Sequence, residues 1–527
     1  MADRYYLTTA IFYPSAAPAL HSLFEAIGAD AIARYQRLLG KEVRFLTGMD
    51  EHSANLERQA RERGVEPRAL VDEWATSWRA GFDRFEISYD RFIRTTDPDH
   101  ALASTEMVRR ALAAGDIYKG TYAGWFCPGD NEFKTDSQIV DGHCPDHPTL
   151  DLQWLEEENY FFRLSRYQAA LERLYREDPS FCEPEHFRNE VLGWLTDGLT
   201  DFSISRAGGT WGIPFPDDPS HRIYVWFDAL TNYLTGAGFP DDAAAFEHWW
   251  PADLHVIGKN ITRFHCLYWP AMLMSAGLPL PRQVFAHGFM LMRGERMSKS
   301  RGNILDPDTA AALFGVDGVR YLVLREIPFD RDADVTADGL VRRYNADLAN
   351  DLGNLVNRTV SMSARYLGGE LPPLSAAPAG ADAELGAAAG RAVTAYHAAI
   401  DRHHLDEALA AVMALTRATN GYAESQAPWA RHNAGEAERV GEIVAAMAEA
   451  CRILGHLMAP FTPSSAAALH VQLGIPPPYD SRGAGGPGLA GLLGWGAVGS
   501  GWRTGDAQPI FPRVELPEES PDAGDAS

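Results

Sequence analysis

The amino-acid sequence predicts a parallel α/β domain, split by an insertion and followed by an all-α domain. Three observations carry that reading. A strand, a helix and a second strand follow one another within the first 50 residues, the same kind of pattern returns between 223 and 286, and strand signals fade after 330. A strand–helix–strand run is a βαβ unit, which lays its two strands parallel in one sheet. At 527 residues the chain has room for about three or four packing units.

Residues 4–13 (RYYLTTAIFY) are rich in β-branched and aromatic side chains and read as a buried strand. A Pro/Ala/Ser turn follows at 14–19. Leu20, Leu23, Phe24 and Ile27 then recur at i, i+3, i+4 and i+7, one face of a helix that Gly40 closes. Val43, Phe45 and Leu46 make a second strand, which ends at Gly48-Met49-Asp50-Glu51-His52. Farther on, 223–227, 254–257 and 284–286 read as strands and 262–276 as a buried helix. Helical periodicity runs over 338–367, 385–403, 405–424 and 436–459; the Ala/Pro/Gly-rich stretch 371–391 reads as a loose connection and 480–501 as a flexible loop. The domains expected are 1–115 and 216–330 (two halves of the α/β domain), 116–215 (insertion), 331–480 (helical domain) and 481–527 (Gly-rich loop and tail).

Hydrophobic residues make up 46% and charged residues 22% of the chain, ordinary globular values that exclude a disordered tail, a collagen or a disulfide scaffold. Asp and Glu number 71 against 47 Lys and Arg, a net charge of −24. That balance argues against broad nonspecific nucleic-acid binding while leaving room for a local basic groove. The five cysteines, an odd and sparse set, read as reduced and intracellular. The opening residues lack a basic stretch followed by an apolar core, and no run approaches the ~18 apolar residues of a membrane span. A cytoplasmic protein with no membrane partner is expected.

Two motifs carry chemistry. Arg296-Met297-Ser298-Lys299-Ser300, followed by Arg301-Gly302-Asn303, sets cations and hydroxyls on a Gly-flanked loop, which suits a polyphosphate. Lys299 would act there as a mobile point charge on a developing pyrophosphate. On composition alone a solvated basic turn reads the same. In the insertion, Cys127-Pro-Gly-Asp130 and Cys144-Pro-Asp-His147 have the paired spacing of a zinc knuckle, with two thiolates, a carboxylate and an imidazole as ligands. His143 is a substitute donor off that spacing, and a metal-free knuckle is the plain alternative.

The loop at 296–300 resembles the KMSKS signature of class I aminoacyl-tRNA synthetases, and Phe285-Ala286-His287-Gly288-Phe289 before it is typical of them. Within that class, 5–13 (YYLTTAIFY), 48–52 (GMDEH), 224–233 (YVWFDALTNY), 257–271 (IGKNITRFHCLYWPA), 344–359 (YNADLANDLGNLVNRT), 422–429 (YAESQAPW) and 509–515 (PIFPRVE) resemble the methionyl-tRNA synthetases over 4–516. The resemblance implies a Rossmann-type catalytic domain, a split insertion with a zinc knuckle and an all-α anticodon-binding domain, the whole acting as a monomer. It implies ATP-dependent activation of methionine, with Mg2+ accompanying ATP, and transfer to tRNA(Met) bearing CAU.

The residue roles follow from the same resemblance. Ile11, Tyr13, Trp226, Leu230, Tyr233, Ile261 and His265 would form the side-chain pocket, whose aromatic walls suit a thioether. Asp50 would hold the substrate ammonium. Lys299, Ser300, His287 and Gly288 would bind ATP, with Arg296, Ser298 and His21 beside the chemistry. Asn354, Arg358 and Trp429 would read the anticodon by hydrogen bonds and stacking. Taken singly, each aromatic reads as core and each polar helix residue as a solvated face.

Some positions depart from the pattern. The family's His-x-Gly-His, which meets ATP phosphates at a helix N-terminus, is replaced by Ala19-Leu20-His21-Ser22. A slip of one residue would bring His21 to the second histidine slot. The Asp after Gly-Lys is Asn260, the Gly after Asp-Glu-His is Ser53, and Asp130 stands where the knuckle usually has Cys or His. These departures keep two alternatives open: a paralogue activating an amino acid for a non-tRNA acceptor, and a non-catalytic tRNA-binding protein.

Overall fold

The apolar N-terminal run forms the middle of a sheet. In the computed structural model, which describes residues 3–14, 16–128, 132–134, 139–145, 147–292, 295–296, 306–375, 377–476, 489–496 and 502–515, eight strands set the frame. They are β1 (Arg4–Phe12), β2 (Glu42–Met49), β3 (Arg91–Arg94), β4 (Ile117–Cys127), β5 (Gln153–Phe162), β6 (Cys182–Glu183), β7 (Leu254–Gly258) and β8 (Val284–His287). Six of them form one sheet in the order β3-β2-β1-β7-β8-β6. β1 pairs with β7 in parallel, Leu7 opposite Leu254, and β7 with β8, Gly258 opposite His287. β2 and β3 are parallel too, Leu46 opposite Arg91. Tyr6, Leu7, Phe45, Leu46, Val256 and Ile257 have no exposed surface. Such unbroken apolar runs are what a parallel sheet covered on both faces requires.

The chain divides into two compact units. The sheet unit comprises Arg4–Pro18 and Val43–His287, and the helical unit comprises Met1–Asp3, Ala19–Glu42 and Gly288–Ser527. Within the sheet unit, the strand order turns back between β1 and β7: β2 and β3 extend one way, β8 and β6 the other. Open α/β sheets bind ligands outside the C-terminal strand ends at such a reversal. The insertion builds its own antiparallel sheet on β4 and β5, with Ile117 opposite Phe162 and Phe126 opposite Gln153.

The expected strand at 223–227 is corrected. A strand ends at Ile223 and helix Val225–Leu230 follows. Val225, Phe227 and Leu230 are all buried, so no polar face remained to reveal the helical period. The helix expected over 262–276 opens with a π turn, Phe264–Tyr268, before Trp269–Ser275.

In the helical unit, helix Leu20–Leu38 is buried along nearly its whole length. Gly28 permits this: a Cβ there would stand 2.4 Å from the Phe329 ring. Asp30 accepts from Arg34 Nε at 2.7 Å and from Arg320 Nη2 at 2.6 Å. Arg320 also donates to the carbonyls of Phe461 (2.9 Å) and Pro460 (3.1 Å). Helices Asn354–Leu367, Ala381–Ile400, Leu405–Gln426, Ala437–Met458 and Pro463–Leu473 complete a bundle. The loose connection expected over 371–391 is shorter than read. Alanine is the best helix former, and Leu385, Ala389, Ala392 and Tyr396 give Ala381–Ile400 a buried face. Of the loop expected at 480–501 only 489–496 are described, including the short helix Leu489–Leu493. No helix among the described residues is long and apolar enough to cross a membrane.

Candidate active site

Of the residues singled out in the sheet unit, Ile11, Tyr13, Asp50, Ile261 and His287 lie at or just beyond the C-terminal ends of β1, β2, β7 and β8, whereas Trp226, Leu230 and Tyr233 lie on helices Val225–Leu230 and Asn232–Ala237. Ile11 lies one residue before the end of β1 and packs on the main core, and Tyr13 follows the strand. Asp50 follows β2, its N–H donating to the Phe12 carbonyl at 3.0 Å, so the two strand ends are pinned together. Asp50 is 8% exposed, and its Oδ1 has no hydrogen-bond partner among the described residues. Burial, and then the neighbouring Asp228 carboxylate, push its carboxyl well above the ordinary range; the His52 N–H pulls the other way. A buried acceptor of this kind is costly unless a donor arrives, and a cationic donor suits it best.

The other residues expected to line the pocket include an aromatic stack. Trp226 stacks on Phe264 with centroids 3.8 Å apart and planes 8° from parallel. Leu230 and Tyr233 are buried, and Ile261 packs on the same core. His265, on the π turn, places Nδ1 3.0 Å from the Ile261 carbonyl and Nε2 2.6 Å from the Tyr233 hydroxyl. Burial pulls its pKa down to about 4, so the ring is neutral at neutral pH. Nδ1 then carries the proton to the carbonyl, and Nε2 accepts from Tyr233. The result is a mostly buried apolar cluster with one hydrogen-bonded phenol–imidazole pair.

Sequence reasoning missed the network behind Asp50. Asp228, fully buried, accepts from His52 Nδ1 and His100 Nε2, both at 2.7 Å, and from Ser104 Oγ at 3.0 Å. Burial alone would raise its pKa, but the two imidazoles outweigh it and hold the carboxyl below the ordinary range. Glu51 takes Arg94 Nε at 2.6 Å, and its own carbonyl accepts the Trp211 indole N–H at 2.7 Å. The available signal was an aspartate inside the apolar run YVWFDAL.

The nucleotide-facing expectations are only partly described. His287 is buried at the end of β8. A Cβ on Gly288 would come within 2.0 Å of the Arg331 backbone, so glycine alone fits there. Asn260 folds over the end of β7, its Oδ1 2.7 Å from where a Gly258 Cβ would be. Ala19 is the N-cap of helix Leu20–Leu38 with no side-chain cap bond, so Ala19-Leu20-His21-Ser22 opens that helix as the register requires; His21 is exposed. Ser298, Lys299 and Ser300 lie outside the described residues, and of Arg296 only the backbone is described.

In the insertion, Cys127 ends β4 and Cys144 lies on a short strand pair, its backbone opposite His147. Both thiols are fully buried, which suits a structural metal site, whereas His143 is exposed. Asp130 and the His147 side chain lie outside the described residues, and no group of three or more metal-binding side chains occurs among the described ones.

The helical unit brings the remaining site residues together. Asn354 is exposed at the start of Asn354–Leu367, and Arg358 stands one turn later on the same face. The Arg358 guanidinium lies 5.5 Å from the Trp429 ring centroid and donates to Glu424 at 2.8 Å. Trp429 is 37% exposed. Its helix, Pro428–Asn433, starts after Ala427, whose φ of 44° turns the chain sharply.

Known proteins share this fold. The family described as tRNA synthetases class I (M) matches residues 5–153 and 149–360, and the anticodon binding domain of methionyl tRNA ligase matches 373–478. A methionine–tRNA ligase of Mycobacterium tuberculosis (strain CDC 1551 / Oshkosh) is 45% identical over 525 residues, 98% of either chain. One from Thermosynechococcus vestitus is 42% identical over 524 residues, 98% of this chain and 99% of that one. Among solved structures, Mycobacterium tuberculosis methionyl-tRNA synthetase in complex with methionyl-adenylate superposes with a TM-score of 0.89 at 44% identity, over 97% of this chain and 100% of that one. The apo form of that enzyme gives 0.83 at 41% identity, over 98% and 99%. The likeness runs end to end through both the sheet unit and the helical bundle, and the chain therefore belongs to the methionyl-tRNA synthetase family of class I aminoacyl-tRNA synthetases.

Proposed function

We propose that the chain, as a methionine–tRNA ligase, binds methionine at the strand ends of the sheet unit and uses ATP to activate it. Asp50 takes the α-ammonium, and Ile11, Tyr13, Leu230, Tyr233, Ile261 and His265, with the Trp226–Phe264 stack, receive the thioether side chain. A neutral His265 matters here, because a charged imidazolium would favour a polar side chain over methionine. A methionine carboxylate oxygen attacks the α-phosphorus of ATP in line; an O–P bond forms and pyrophosphate leaves. Little proton transfer is needed, so positioning and charge stabilisation dominate.

ATP enters as its magnesium complex. His287 and Gly288 form part of its seat, and Lys299 with Arg296, Ser298 and Ser300 neutralises the departing pyrophosphate. His21 is the one imidazole left at the start of helix Leu20–Leu38 to serve the phosphates. The terminal ribose hydroxyl of tRNA(Met) then attacks the adenylate carbonyl and AMP leaves, while Asn354, Arg358 and Trp429 read the CAU anticodon. Zinc on Cys127, Asp130, Cys144 and His147 would tie the end of β4 to the neighbouring hairpin and take no part in the reaction.

The observation that carries this reading is the buried Oδ1 of Asp50, which has no partner among the described residues. Relatives matched along their whole length favour the tRNA ligase over a paralogue serving another acceptor and over a non-catalytic binder. Pyrophosphate exchange across the amino acids tests it: methionine alone drives exchange, and Lys299→Ala lowers kcat by about 10²–10³. Exchange driven by another amino acid, or by none, refutes it.

A further inference from the structure

We infer that Ser53 is a positioning residue for amino-acid recognition: its hydroxyl locks Tyr13 to the start of helix Ala54–Arg63 before substrate arrives. This rests on the reading of Tyr13 as a wall of the methionine pocket.

Ser53 stands where the loop after β2 becomes a helix, with extended backbone (φ −135°, ψ 150°), and its Oγ accepts the Leu56 N–H at 3.2 Å as an N-cap. The same oxygen lies 2.8 Å from Tyr13 Oη. A hydroxyl has one proton and two lone pairs, so capping the helix leaves capacity for the phenol. Ser53 is buried, which shields the pair from water. The other end of Tyr13 is held as well: its ring packs on Leu56, Ala60, Leu70 and Val71 with Trp74 and Trp211. Ring and hydroxyl are thus both fixed.

Glycine, expected here from the resemblance, would cap the helix with backbone alone and leave the phenol without this partner. The substitution therefore adds a cross-link between the ends of β1 and β2. Those ends also carry Asp50, whose N–H is bonded to the Phe12 carbonyl. A wall fixed in advance loses less freedom on binding, which tightens the complex and sharpens its fit to one side-chain length.

The test uses the full chain with Ser53→Gly, Ser53→Thr, Tyr13→Phe and the Ser53→Gly/Tyr13→Phe double variant. Glycine is a tolerated N-cap, so Ser53→Gly removes the hydroxyl while sparing the helix. Titration calorimetry gives methionine Kd without ATP, and pyrophosphate exchange gives KM and kcat. Ser53→Gly should weaken methionine binding about three- to tenfold, the factor one hydrogen bond of ordinary net strength supplies. The loss should fall on methionine KM rather than on kcat or ATP KM. Ser53→Thr should restore it, and the double variant should bind no worse than Tyr13→Phe. Discrimination against ethionine, one methylene longer, should relax with the glycine variant. Unchanged methionine Kd in Ser53→Gly, or a full additive loss in the double variant, would overturn the proposal. A Tyr13→Ala variant that binds methionine normally would instead remove the pocket reading beneath it.

Discussion

A carboxylate that is buried, beside a second anion and short of a partner is under electrostatic stress, and Asp50 is in that position. Its folded-state pKa stands above the ordinary 3.8. The apo fold therefore holds the proton more tightly than the unfolded chain does. That contribution to stability is fully present below 3.8 and is lost as pH rises through the raised value. At neutral pH the apo protein carries the cost. Asp50→Asn should therefore make the apo protein more stable at pH 7 by about 1 kcal/mol, a gain that shrinks as pH falls, and should abolish stabilisation by methionine. Denaturant titrations with and without methionine check both halves. Methionine affinity of the parent protein should start to fall above the ordinary carboxylate range as pH is lowered. Asp50 itself was legible in GMDEH through family likeness. The Asp228 bridge was not, because its partners His52 and His100 come from separate stretches of chain that only the fold joins.

At the scale of the element, the π turn Phe264–Tyr268 sets His265 against both Ile261 and Tyr233. Periodicity located the helix but had no means of registering one extra residue in a turn, because one added residue hardly changes the spacing of the buried side chains His265 to Leu273. Tyr233→Phe leaves a buried imidazole nitrogen without its donor. It should cost about 1–3 kcal/mol in unfolding free energy and raise methionine KM. The start of the Ala-rich helix, read as part of a loose connection, and the helix after Ile223 escaped for related reasons: one has little amphipathic contrast, the other is buried on nearly every side. The helical pair Arg358 and Trp429 was legible by likeness, and the structure adds their cation–π contact. Trp429→Ala should weaken tRNA(Met) binding by about 1–3 kcal/mol in a filter-binding assay, while methionine-dependent exchange without tRNA continues unchanged.

For the whole molecule, sheet and bundle were both legible, since parallel strands and amphipathic helices announce themselves in composition. The division into units was not. Residues 19–42 sit between two adjacent strands of the sheet in sequence, yet they belong to the helical unit. Contacts 290 residues apart, such as Asp30 with Arg320, decide that membership and leave no local trace. Asp30→Ala would strand the buried guanidinium of Arg320 and should cost about 3–5 kcal/mol, read as a lower denaturation midpoint.

The interleaving has a consequence for biosynthesis. β1 leaves the ribosome first, but its ladder partner β7 comes about 250 residues later, and the helix that follows β1 waits longer still for Arg320. β2 follows within about 40 residues and can cover one edge of β1, but at ~5–20 residues per second the other edge stays open for roughly 10–50 s. Translation speed and chaperone supply should thus govern how much active enzyme a cell recovers.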